Sequence, residues 1–186
     1  MTSIVIVGAG PQLVLAIART FGSQGFDVAL ISRNRTKLDE LVGTLTAEGI
    51  TAAAFPADVL DRDALTQALK DAAAQFGGIA ATDAVLPAMR EVGAGTLLYT
   101  TGAGSIDPVP QVGNVNAAAA ALRNWALNLH REPDGTGVQA ARVGIDVSIG
   151  MSVVPGFPTA QPEEISPVYW DLHTTKRDQA ELVFSR

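Results

Sequence analysis

Two glycines, Gly8 and Gly10, stand between an apolar β-branched run (residues 4–7) and a stretch with helical spacing (residues 13–21). A strand, a glycine turn and a helix in that order suit phosphate binding. The first glycine makes the tight turn, and the second lets backbone N–H groups approach a pyrophosphate at the helix N-terminus. Gln12 and Leu13 complete the turn, with Leu13 where the third glycine of the dinucleotide fingerprint would stand. Such turns also occur merely to reverse the chain, so the end of the next strand carries weight. It reads Ser32-Arg33-Asn34-Arg35, without the carboxylate that usually holds both ribose hydroxyls of NAD. A guanidinium suits the 2′-phosphate of NADP, which makes Arg33 the candidate reader and NADP(H) the expected cofactor ahead of NAD(H). The plainer alternative has Arg33 and Arg35 solvated at a helix start, where positive charge is mildly unfavourable.

Groups able to move a proton are few. Tyr169 and His173 lie four apart on one helical face, although a packing Tyr beside an exposed His is the commoner arrangement. Tyr99 falls inside a strand and reads as core. His130-Arg131 ends a long helix, where cations favour the macrodipole. Arg142 and Asp146 share a strand face and read as a cross-sheet ion pair. The chain has no cysteine, which excludes disulfides, thiolate metal sites and Cys nucleophiles. No metal site is expected.

The elements that must hold these residues follow from periodicity. Residues 4–7 read as a strand buried on both faces, followed by a helix over 13–21. A second buried strand spans 28–31, a helix carries Leu38, Leu41, Val42 and Leu45, and a weaker strand runs over 51–55. Asp61 caps a helix lined by Leu65, Ala68, Leu69, Ala72 and Phe76. Three consecutive βα units predict a parallel sheet with helices on both faces. Residues 79–95 are too few for another βαβ unit, which takes roughly 30 residues, so they read as one helix around Val85, Leu86, Met89 and Val92. Strand 96–100, a Gly/Pro-rich loop, an Ala-rich helix (116–130) and a strand (138–149) follow. A loop (151–162), a helix (163–172) and a short last strand (182–184) complete the chain. The whole reads as one domain over 1–186, an α/β three-layer Rossmann fold with strand order 3-2-1-4-5-6.

Composition narrows the partners. Of the 186 residues 47% are hydrophobic and 17% charged, which suits a globular chain. The net charge of −6 argues against nucleic acid or an anionic membrane surface. No apolar stretch reaches the roughly 18 residues of a membrane span, and the N-terminal residues lack the layout of a signal peptide. A cytoplasmic protein is expected.

The chain resembles the short-chain dehydrogenase/reductase family over most of its length. The residues that carry the likeness are 6–19, 30–38, Ala57-Asp58-Val59, Val85-Leu86-Pro87-Ala88-Met89, 96–101 and the Ala-rich helix. The resemblance implies that Asp58 and Val59 lie beside the adenine ring, and that the protein is an NAD(P)(H)-dependent oxidoreductase of small carbonyl or alcohol compounds. It also implies association as a homodimer or homotetramer through the Ala-rich helix, whose stripe of Ala118, Leu122, Trp125 and Leu129 is apolar.

Departures from the family pattern are equally specific. Gln12 and Val14 occupy two glycine positions, and the family's middle strand with its following helix has no counterpart. Family members use a Tyr as acid/base with a Lys four residues later, and these positions hold Val115 and Ala119. Neither can move a proton. The family Ser falls on Thr101 or Gly102, so Thr101 is the remaining catalytic candidate. Three functions compete on this footing: a reductase with an irregular acid, a non-catalytic nucleotide-binding sensor or partner subunit, and an oligomerising fold with a decayed site. The substrate is not legible in the plain Pro/Gly-rich loop over 106–114.

Overall fold

The computed structural model describes residues 2–76, 82–132, 136–152 and 155–186. They form two compact units, Met1–Leu86 and Pro87–Arg186, with the division falling inside a helix at Pro87.

In the first unit, β1 (Ser3–Val7), β2 (Asp27–Ser32) and β3 (Ala52–Pro56) make a parallel sheet in the order β1-β2-β3. The connecting helices are α1 (Leu13–Gly22) and α2 (Arg35–Ala47), and α3 (Arg62–Phe76) follows β3. Strand β2 organises the core because its side chains alternate between two covered faces. Val28 and Leu30 pack with Ala18, Leu38, Leu41 and Leu45 of α1 and α2. Ala29 and Ile31 pack with Ala68, Leu69, Ala72 and Phe76 of α3. Helices on both faces of a parallel sheet are thus observed as expected. Strand β1 is less buried than its sequence predicts. With β2 as its recorded partner it is only half-buried, and Val7 is 42% exposed.

The second unit contains β4 (Gly95–Gly102), β5 (Val138–Asp146) and β8 (Glu181–Ser185), parallel in the order β4-β5-β8. Helix α4 (Thr82–Val92) runs into this unit, and a glycine turn leads to β4. Two 3-10 turns, Ala103–Ser105 and Pro110–Val112, lead into α5 (Gly113–His130). The last strand is short and lies at an edge, as expected. The strand read as 138–149 instead breaks after Asp146, and β6 (Ser148–Ile149) pairs with β7 (Thr159–Ala160) in a two-stranded ribbon. Residues 151–162 are therefore not all loop. The helix read as 163–172 is two pieces, α6 (Pro162–Ile165) and α7 (Pro167–Thr174). Pro167 lacks the N–H that would bond back into α6, so it starts a new helix.

Within each unit the pairings follow the expected sequence of strands, 3-2-1 in the first and 4-5 with the last strand beside β5 in the second. No strand occurs in the described part of 79–94, which is helical as read, and residues 77–81 lie outside the described chain.

Candidate functional site

The parallel register of the first unit brings the C-terminal ends of its strands together, with Val7 beside Ile31 and Ser32 beside Pro56. Every residue singled out for cofactor binding therefore sits at one end of one sheet. Gly8 has φ +86°, a conformation that residues with a Cβ rarely adopt. The Gly8 and Ala9 N–H groups both donate to the Ile31 carbonyl, at 2.9 and 3.0 Å, and so fix the turn. These two donors serve the fold, and the donors left for an anion are those of the first turn of α1. Gln12 occupies the N-cap without a side-chain cap bond and is exposed. A Cβ at Gly10 would meet open space, which leaves the approach to the backbone clear. Leu13 is half-buried, and Val14 packs into the core cluster between helix and sheet.

At the end of β2 the four polar residues separate by partner. The Ser32 carbonyl accepts from Ala57 N–H at 3.0 Å. The Asn34 side chain accepts from Lys37 N–H at 3.0 Å as the N-cap of α2. Arg35 donates to Asp39 one turn on, at 2.8 Å. Arg33 is exposed and has no ion pair or hydrogen bond among the described residues. At the end of β3, one carboxylate oxygen of Asp58 caps the Leu60 N–H at 3.0 Å, and Val59 is 51% exposed. The turn chemistry occupies one Asp58 oxygen and presents Val59 to solvent. Asp61 caps α3 as its sequence predicts.

In the second unit, Thr101 lies at the end of β4 and is buried. Its neighbour is Arg142, whose side chain is wholly buried and whose true partner is Glu181, not Asp146. Glu181 lies opposite Arg142 across the β5–β8 register, whereas Asp146 lies four residues along the same strand. The guanidinium reaches back over Gly144, where a Cβ would come within 2.6 Å of Arg142 Nη1. Only glycine leaves that path open. Arg142 Nε and Nη2 donate to Thr101 Oγ1 at 2.8 and 2.5 Å, Nη2 also reaches Gly102 O at 3.0 Å and Ser105 Oγ, and Nη1 donates to Glu181 at 2.7 Å. Arg123 of α5 holds Glu181 from the other side through two bonds, at 2.5 and 2.8 Å. Arg123's hydrogen bonds pull the Glu181 carboxyl below its ordinary range, with Arg142 adding to the effect. Burial pulls the Arg142 guanidinium down, and Glu181 opposes the shift.

The other proton-bearing residues serve the fold. Tyr169 is buried and its hydroxyl pairs with Thr100 at 2.7 Å, and burial pushes its pKa up to about 12. His173, one turn on, pairs through Nδ1 with Thr96 at 3.0 Å, and burial beside Arg177 lowers its pKa. The four-residue step of α7 thus matches the four-residue step from Thr96 to Thr100 on β4. His130 Nδ1 bonds the Ala140 carbonyl at 2.9 Å. On α5, Val115 is 60% exposed and Ala119 half-buried. Sequence reasoning missed Ser105, Glu181 and Arg123. Only the short Arg142–Gly144 spacing hinted at a folded-back guanidinium.

Residues 2–81 match the family model described as short chain dehydrogenase. Over that stretch the chain is similar to the short-chain dehydrogenase/reductase family. A 62-residue stretch is 45% identical to 2,3-dihydro-2,3-dihydroxybenzoate dehydrogenase of Bacillus subtilis (strain 168), covering 33% of this chain and 24% of that protein. The match spans about a quarter of that relative's length. Among solved structures, L-sorbose reductase from Gluconobacter frateurii complexed with NADPH and L-sorbose has a TM-score of 0.87 at 17% identity, covering 100% of this chain and 95% of that one. A 3-oxoacyl-[acyl-carrier protein] reductase from Brucella melitensis with bound NAD has a TM-score of 0.83 at 19% identity, covering 98% and 89%. At these identities the structural likenesses establish the Rossmann-like α/β fold. Among the described residues no helix is long and apolar enough to cross a membrane.

Proposed function

We propose that this chain is a member of the short-chain dehydrogenase/reductase family that binds a nicotinamide dinucleotide in its first unit, prefers NADP(H), and has at most trace reductase activity toward ordinary ketones. Arg33 carries the cofactor reading: a guanidinium without a partner among the described residues at the end of β2, where a ribose 2′-phosphate would lie. The pyrophosphate would be held by the N-terminal turn of α1 past Gly10 and Gln12, with Gly8 shaping the approach. Ser32, Leu13 and the Asp58-Val59 pair would border the adenosine half. When bound, this cofactor supplies hydride chemistry.

The chain's own contribution is restricted. Thr101 offers a hydrogen bond to a carbonyl oxygen, while Val115 and Ala119 leave proton supply to water. That deficit favours a second reading, a non-catalytic nucleotide sensor or partner subunit. The substrate in either case is an unidentified small molecule, and a cytoplasmic location is proposed. Arg33→Ala should weaken NADPH by about 1–3 kcal/mol, as for a charge-assisted hydrogen bond, and NADH little. Fluorescence titration with both cofactors checks this, and equal losses would show that Arg33 does not read the phosphate.

We also propose self-association through α5. Val115, Leu122 and Trp125 are 60, 37 and 52% exposed on this helix, while Arg123 is turned inward to Glu181. These residues recur at i, i+7 and i+10, which places them on one face of the helix. Light scattering at micromolar concentration should give a dimer or tetramer, and Trp125→Glu should shift it toward monomer. A monomeric wild-type protein contradicts the proposal.

A further inference from the structure

A cleft of about 450 Å³ in the first unit is lined by β3, one face of α3 and Arg35 of α2. The two helices cover opposite faces of the sheet, so a cleft that touches both lies at the outer edge of β3. None of the residues assigned to the cofactor lines it. Strand β3 has β2 on one side and no strand on the other among the described residues. Val28 N–H donates to Thr51 O at 2.9 Å and Ala57 N–H to Ser32 O at 3.0 Å. Residues 51, 53, 55 and 57 therefore turn their main chain toward β2, and residues 52, 54 and 56 present theirs at the open edge. Pro56 has no N–H to offer there, which is how a proline fits a sheet edge. Ala54 is left in the cleft with both an N–H and a C=O facing outward.

The two ends of the cleft carry opposite charge. Ala64, Gln67, Ala68 and Asp71 share one face of α3 and span about 10 Å at about 1.5 Å per residue. Helix α3 returns along β3 after the turn, so Asp71 lies toward the start of the strand, while Arg35 follows Ser32, the neighbour of Pro56 at its end. Arg35 uses only Nε on Asp39, at 2.8 and 3.0 Å, and its Nη groups have no partner among the described residues. Asp71 accepts from Gln67 through Oδ1 at 2.8 Å, which leaves Oδ2. We propose that this cleft binds a short free peptide, extended and parallel to β3, with its ammonium at Asp71 and its carboxylate at Arg35. About three extended residues cover its length at about 3.3 Å each. In a parallel pairing Ala54 alone holds such a peptide, donating to the first residue's carbonyl and accepting from the third residue's N–H. Ala54 packs on the α1 and α2 side, so the first and third side chains lie on the α3 side. There Ala68 and Ala64 leave room for them. Charge sets the direction, since a peptide carries its ammonium first and its carboxylate last.

The test titrates the full-length protein, without cofactor, with the tripeptide Val-Ala-Val and follows backbone amides by NMR. Saturable shifts that include the Ala54 amide are expected. N-acetylation or C-amidation of the peptide should each weaken binding by about threefold, the reach of a partly exposed ion pair. Arg35→Gln should lose the sensitivity to amidation and keep the sensitivity to acetylation, and Asp71→Asn should do the reverse. A merely structural role for either residue would not separate the two ends of the ligand in this way. Ala64→Leu should abolish binding by filling the cleft, and if that variant does not fold, the two charge variants decide. Absence of saturable binding overturns the inference, as does equal affinity for the doubly capped peptide or an amidation effect that survives in Arg35→Gln. A dimer of the wild-type protein that Arg35→Gln dissociates in light scattering would also overturn it, giving the edge to a second copy of the chain.

Discussion

Val115→Tyr combined with Ala119→Lys is expected to raise ketone reduction about 10²–10⁴-fold over the parent protein, the usual worth of a positioned proton donor. The two positions lie one helical turn apart on α5, so a Tyr and a Lys placed there share a face. Val115 is 60% exposed, which lets a phenol be built without disturbing the core. Ala119 is half-buried, where a lysine stem packs and its ammonium extends outward. Initial rates of NADPH consumption with a simple ketone measure the gain. An unchanged rate in a double variant that still binds NADPH would show that the missing acid is not the main deficit. A parent that already reduces simple ketones at several turnovers per second would contradict the impaired-site reading outright.

Glu181→Ala is expected to cost about 3–5 kcal/mol of stability, because it strands a wholly buried guanidinium without its counter-charge. Arg142→Met should cost less, since Glu181 keeps its bidentate partner Arg123 and the charge leaves with the side chain. Urea midpoints of the two variants check this order, and a larger loss for Arg142→Met reverses it. The same carboxylate sets an acid dependence. The fold holds its pKa below the ordinary 4.5, so its stabilisation is fully present above that value and is lost as pH falls through the folded-state value. Glu181→Gln should flatten this part of the acid unfolding curve.

The first unit was the more legible half. Its strands and helices alternate with clear periodicity, and each packs against a neighbour in sequence, so local pattern and tertiary structure agree. Gly8, Arg33 and Asp61 could be read in place because their chemistry is set by turns and strand ends. Asn34 caps α2 through Oδ1, a role the sequence shares with ribose binding because both call for the same side chain. In the second unit the decisive contacts are distant. Arg142 pairs with Glu181 and Thr101, 39 and 41 positions away, and sequence spacing pointed instead to Asp146 on its own strand. Tyr169 and His173 look like an acid–base pair until β4 supplies Thr100 and Thr96 as their partners. The break at Asp146 and the split at Pro167 escaped because two-residue strands and single-turn helices carry too few residues to show a period.

The central claim is that the Gly8–Leu13 turn and Arg33 form a working dinucleotide site. Titration of the wild-type protein with NADPH and NADH, followed by nicotinamide fluorescence, tests it most directly. Saturable binding of both, tighter for NADPH, is the expected result. Absence of binding by either cofactor would contradict the account and leave a Rossmann fold whose nucleotide site has decayed.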